Sequence, residues 1–233
     1  MAKDSIVKTV ETRLKRRRGR LFTYDDFNDL PATAVAPALS RLAARGDIRR
    51  ARKGVYYAPR HTVLGDVPPD PVVVGKAVSR GRSHPAGLSA ANILGLTTQV
   101  PARVELAVED KRPMPPRGVA FRPRMRTNRR GLRSREAALL EVLRDIHGLS
   151  DLSPRATMKR LLDVVGDESA RTKVIRAAVN EPPRVRAMAG ALAEHAGAGE
   201  HDLRRLRKTL NPTTRFDFGP LTELPTAKRW GAR

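Results

Sequence analysis

Cysteine is absent from the 233 residues, which excludes disulfides, thiolate metal sites and a cysteine nucleophile. Aromatic residues are few: five Phe, three Tyr and one Trp. No apolar run approaches the ~18 residues a membrane helix requires. The opening MAKDSIVKTVETRLK lacks the apolar core of a secretory signal, so the cytoplasm is the expected compartment. The histidines His61, His84, His147, His195 and His201 show no metal-ligand spacing. No glycine-rich phosphate loop is found. The sequence therefore predicts no cofactor, no metal and no enzyme activity.

Acid is the other shortage. Lys and Arg number 46 against 24 Asp and Glu, a net charge of +22. Such an excess points to a polyanion partner, because each phosphate neutralised releases condensed counterions. The charge is also uneven. Residues 1–60 carry +9, residues 111–135 carry +10 without one acid, and residues 201–233 carry +5; the blocks between are each −1. Two strong basic islands between neutral blocks predict two electropositive faces.

The most informative stretch is Val35–Tyr57, VAPALSRLAARGDIRRARKGVYY. A helix is predicted from about Thr33 to Arg45, with Val35, Ala38, Leu39 and Leu42 inward. Pro37 fits that helix only in its first turn, where a missing N–H costs little. Gly46 suits the left-handed end. Asp47–Ala51 and Val55–Ala58 then pair across Arg52-Lys53-Gly54. Ahead of them lie a helix from about Ser5 to Arg17 that Gly19 ends, and a short helix Tyr24–Asn28 capped by Thr23. The basic run Lys15 to Arg20 at the first helix exit is a candidate phosphate contact. Phe22, Tyr24, Phe27, Tyr56 and Tyr57 fall in this small unit, mostly as its core. The order of elements is that of a winged helix-turn-helix, a common reader of duplex DNA.

Pro59 to Pro71 is expected to be an irregular arm, and a second unit follows. Val72–Val78 is a short apolar piece. A helix is predicted at Ala86–Leu94, strands at Arg103–Val108 and Val119–Met125, and helices from Ser134 onward, starting at Ser153-Pro154, Ser169, Arg184 and Leu203. The tail FDFGPLTELPTAKRWGAR holds Phe216, Phe218 and Trp230 without periodicity. Aromatics so placed dock on the body of the chain or on a partner. The expected architecture is α+β: a winged helix at 1–62, then a mixed α/β unit at 63–233 that ends in a helical bundle.

The predicted DNA contacts follow from side-chain chemistry. Ser40, Arg41 and Arg45 project from the third helix; arginine can donate two hydrogen bonds to guanine in the major groove. Arg49, Arg50, Arg52 and Lys53 occupy the hairpin, where a wing meets backbone or minor groove. Thr33 lies at the helix start, where backbone N–H groups favour a phosphate. Arg122, Arg124 and Arg126 alternate along one strand and so share a face, a candidate second nucleic-acid surface. One enzymatic alternative is weighed against this. Glu109-Asp110-Lys111 at a strand end matches half of a nuclease metal site, with Glu105 or Asp66 as the only partner acids. Such a short match is usually a solvated turn.

The runs F-T-Y-D-D-F (Phe22–Phe27) and A-L-S-R-L-A-A-R-G-D-I-R-R-A-R-K-G-V-Y-Y (Ala38–Tyr57) resemble the winged-helix head of AbiEi-type antitoxins of type IV toxin–antitoxin systems. L-S-A-A-N-I-L-G-L-T-T-Q-V-P-A-R-V (Leu88–Val104) is similar to the run that follows that head, and the likeness extends to R-F-D-F-G (Arg215–Gly219). The resemblance implies a repressor that binds its own operator. It also implies an antitoxin that counteracts an AbiEii-type nucleotidyltransferase toxin, by direct contact or only functionally. A solitary regulator without a toxin is the alternative.

Overall fold

The computed structural model describes residues 2–16, 21–63, 65–80, 82–109, 114–124 and 127–233. The chain is α+β and divides into two compact units, Met1–Gly81 with Pro113–Val119, and Arg82–Arg112 with Ala120–Arg233.

In the first unit, helix α1 spans Ala2–Arg16 and buries Val10 and Leu14. Strand β1, Leu21–Thr23, leads into a single 3-10 turn, Tyr24–Phe27. The Thr23 N–H donates to the Asp26 carboxylate at 2.8 Å, which satisfies a donor the short helix leaves open. Helix α2 spans Ala32–Ala44 and buries Val35, Ala38, Leu39 and Leu42 at helical spacing. Gly46, at φ +83°, turns the chain into β2, Arg49–Arg52, and β3, Val55–Tyr57. The antiparallel sheet has the order β1-β3-β2, with Phe22 opposite Tyr56 and Arg50 opposite Tyr56 on the other side. A bulge separates Arg50 from Arg52. One core gathers Val10, Leu14, Phe22, Phe27, Leu39, Leu42, Ile48 and Tyr56.

Three expectations for this unit need correction. Pro37 is not in the first turn of α2; it is the sixth helical residue. It sits on the exposed face, where water can take the carbonyl that its missing N–H leaves unbonded. The segment read as an irregular arm forms a hairpin, β4 Arg60–Thr62 with β5 Gly65–Val67. The boundary expected at residue 62 falls instead near Gly81. Helix α3, Pro71–Val78, is capped by Asp70, which accepts from the Val72 N–H at 2.7 Å, and it packs on β1. That contact keeps α3 with the first unit. Arg17, Arg18, Gly19 and Arg20 lie outside the described residues.

The second unit begins with β6, Ser83–Pro85, helix α4, Gly87–Ile93, and strands β7, Val104–Val108, and β8, Val119–Pro123. They form a sheet of order β6-β7-β8, with β6 antiparallel to β7. Five helices follow: α5 Ser134–Arg144, α6 Pro154–Val165, α7 Glu168–Ala178, α8 Pro183–His195 and α9 Glu200–Arg207. Ser153 and Asp167 cap α6 and α7 through the Ala156 and Ala170 N–H groups. Helices α5 and α8 are enclosed almost all round; Leu139, Leu140, Leu143, Met188 and Leu192 are fully buried. The tail docks on its own body: Phe218, Leu221, Leu224 and Trp230 complete this core. Trp230 lies so close over α8 that a Cβ on Gly190 would stand 2.2 Å from its ring.

Candidate nucleic-acid interface

The inward stripe of α2 fixes what its other face presents. Thr33, Pro37, Ser40, Arg41 and Ala44 are all exposed, and their spacing places them along one side of the helix. Thr33 is the second residue of α2, in the turn where backbone N–H groups lack helical partners. Among the described residues, Ser40 and Arg41 have no side-chain hydrogen bond or ion pair. The row therefore offers a small helix face with one unpaired guanidinium on it.

The hairpin β2-β3 follows. Arg50, Arg52 and Lys53 have no carboxylate partner among the described residues. Gly54 closes the turn at φ +81°, a conformation costly for any residue with a Cβ. Its seat is Tyr24: a Cβ at Gly54 would lie 3.3 Å from that ring. Tyr24 meets Tyr56 edge to face at 6.4 Å between centroids. Burial raises the Tyr56 pKa, and the Tyr24 hydrogen bond adds to the rise. The two tyrosines thus brace the hairpin tip. Sequence reasoning placed Tyr24 among the core aromatics and missed this exposed bracing role; no local signal in the sequence marks it.

Arg45 and Arg49 differ from their neighbours. Arg45 ends α2 and pairs with Glu11 of α1 and with Asp47. The Glu11 hydrogen bond raises the Arg45 pKa. Arg49 pairs with Asp66 of β5. Both remain about half exposed, at 56 %. Surface pairs of this kind contribute only about 0–1 kcal/mol, so a phosphate can displace the carboxylates. Even so, Arg45 and Arg49 are not free groove or wing cations.

The expected second face at Arg122, Arg124 and Arg126 is corrected more strongly. Arg122 pairs with Glu105, whose other carboxylate oxygen accepts the Leu88 N–H at the start of α4. Arg124 lies just past β8 and grips Glu141 of α5 with Nε at 3.0 Å and Nη2 at 2.8 Å. Arg129, 1 % exposed, bridges Glu141 and Glu181, and Arg144 also pairs with Glu181. Burial works to raise the Glu141 carboxyl, but Arg124 and Arg129 outweigh it and hold the pKa below the ordinary value. Two cations of the basic island, Arg124 and Arg129, thus answer buried carboxylates: Glu141 on α5 and Glu181 in the link between α7 and α8. Alternation along a strand shows which residues share a face; it does not reveal what charge that face meets. Arg126 lies outside the described residues.

The half-site weighed for a nuclease is likewise engaged. Glu109 accepts the Arg129 backbone N–H at 3.0 Å, Glu105 holds Arg122 and Leu88, and Asp66 holds Arg49. Asp110 and Lys111 lie outside the described residues.

A family of unknown function, DUF6088, matches residues 8–113, less than half of the chain. No curated protein matches. Among solved structures, the chain is similar to the RV2827C protein from Mycobacterium tuberculosis, at 19% identity and a TM-score of 0.42 over 90% of this chain and 84% of that one.

Proposed function

We propose that the first unit is a winged helix-turn-helix that binds duplex DNA, with α2 in the major groove and the β2-β3 hairpin as the wing. The observation that carries this reading is the unpaired cation set: Arg41 on the open face of α2, and Arg50, Arg52 and Lys53 on the hairpin, all without carboxylate partners among the described residues. Elsewhere in the chain many arginines are matched with acids. Arg41, beside Ser40 and Thr33, suits guanine and phosphate contacts. The hairpin cations suit phosphates. Arg45 and Arg49 join the contact by exchanging Glu11, Asp47 and Asp66 for phosphate oxygens.

We further propose, from the resemblance to AbiEi-type antitoxins, that the chain represses its own operon. In this reading it counteracts an AbiEii-type nucleotidyltransferase toxin encoded beside it, in the cytoplasm. The test is fluorescence anisotropy on labelled DNA from upstream of the gene, over a salt series without divalent metal. Arg41→Ala should weaken operator binding ~10- to 100-fold and unrelated DNA much less. Lys53→Ala should weaken both and reduce the salt slope by about 1. No binding by the parent chain at moderate salt, or unchanged binding by both variants, would refute the DNA reading. Co-expression with the neighbouring reading frame tests the antitoxin role: growth must recover only when this chain is present. Repression without such rescue leaves a solitary regulator.

A further inference from the structure

The C-terminal tail builds a second anion-seeking feature, independent of the winged-helix reading. A pocket of about 200 Å³ opens between the end of α9 and the tail, lined in part by Arg207, Arg215, Phe216, Lys228, Arg229 and Trp230. It is smaller than the ~300–1,000 Å³ of a deep ligand cleft. It has room for a phosphoryl group and part of a planar ring, with the rest of a ligand in solvent.

Its floor is rigid. The Phe216 N–H donates to the Gly231 carbonyl at 2.8 Å, and the Arg233 N–H returns to the Phe216 carbonyl at 3.0 Å. Gly231 is at φ +82°, and a Cβ there would lie 2.9 Å from the Thr214 carbonyl oxygen. The two tail segments therefore approach as closely as backbone allows, and they hold Arg215 beside the Lys228–Trp230 turn. Trp230 is 3 % exposed and covered by the Arg207 guanidinium, 4.7 Å from the ring centroid.

The charge is unbalanced. Glu194 of α8 takes Arg207, Arg229 and the Trp230 indole N–H. One carboxylate thus answers two guanidiniums and an indole. Arg215 spends itself on the carbonyls of Pro212 and Thr214, and Lys228 has no partner among the described residues. The Arg207 Nε is sealed from solvent without a hydrogen-bond partner. Four cations around one acid, beside the half-buried Phe216 ring, favour a ligand with both an anionic and a flat apolar part.

We propose that this pocket binds a nucleotide, its phosphate between Arg215, Lys228 and Arg229 and its base against Phe216. The shared chemistry fits a free mononucleotide or the end of a single strand, and the test separates them. Trp230 is the only tryptophan in the chain, so its emission reports on the pocket. The full chain is titrated with adenosine monophosphate, guanosine monophosphate, inorganic phosphate, adenosine and a 5′-phosphorylated dithymidine, with calorimetry as a tryptophan-independent readout. The monophosphates should change the emission at concentrations where adenosine and inorganic phosphate do not. Tighter binding of the dinucleotide identifies a strand end; equal or weaker binding identifies a free nucleotide. Arg215 and Lys228 are exposed, so Arg215→Glu with Lys228→Glu should keep the melting curve and lose affinity at least about tenfold. Inorganic phosphate binding as well as the monophosphates, or affinity unchanged in the double variant, would overturn the proposal.

Discussion

Replacing Glu141 by glutamine keeps its shape and removes its charge. Glu141 is 0 % exposed and accepts from Arg124 and Arg129, with Arg144 Nε a further 3.8 Å away. In Glu141→Gln, Arg129 keeps only Glu181, and Arg124 loses its carboxylate while still largely buried. Breaking a buried pair from one side costs about 3–5 kcal/mol, because a desolvated charge is left behind. That is a large share of a typical ~5–15 kcal/mol. For a unit of this size it lowers the melting temperature by roughly 2–4 °C per kcal/mol. The assay is urea unfolding followed by Trp230, which lies in the core of the same unit. Arg122→Ala is the control: its pair with Glu105 is 42 % exposed on the arginine side and should contribute only about 0–1 kcal/mol. A double-mutant cycle of Arg124→Ala and Glu141→Gln should show a coupling of about 1–3 kcal/mol. A Glu141→Gln cost under about 1 kcal/mol, or no coupling in the cycle, would refute the assignment of these arginines to an internal network.

Three other outcomes follow from the same structure. Charge reversal at Arg122 should leave the salt slope of DNA binding unchanged, where a true second face would lower it. Acid should weaken the second unit. The folded Glu141 pKa lies below its ordinary 4.5, so its stabilising contribution is complete above that value and is lost as pH falls through the folded pKa; urea midpoints of the parent should drop more steeply below that range than those of Glu141→Gln. Substitution of small residues at two places should act in opposite directions. Gly190→Ala drives a methyl into Trp230 and should cost about 1–3 kcal/mol or more, whereas Pro37→Ala restores a helical N–H on the exposed side of α2 and should stabilise the first unit by up to about 3 kcal/mol, read as a higher unfolding midpoint.

Local patterns were sufficient where a short-range rule decides the structure. The stripes of α2 and α6, the caps at Ser153 and Thr23, and the left-handed turns at Gly46 and Gly54 are fixed by neighbours within four residues. The hairpin β4-β5 escaped because its strands are three residues each and carry little hydrophobic alternation. Helix α3 escaped because PVVVGKAV is apolar without a clear period. The place of Pro37 escaped because confining proline to a first turn ignores that, on an exposed helix face, water can take the carbonyl left unbonded.

What the sequence determined by itself is the sum of charge, the open face of α2 with Arg41 and Ser40, and the basic tip at Arg52 and Lys53, since each depends on periodicity or composition alone. Which cations are spent depends on contacts between residues far apart in the chain. Glu141 and Glu181 lie 12 and 52 residues from Arg129 along the chain, and Glu11 lies 34 from Arg45. No local pattern links such positions. Electrostatics acts through space, so a basic stretch of sequence becomes a surface or an internal clamp according to which carboxylates the fold brings to it.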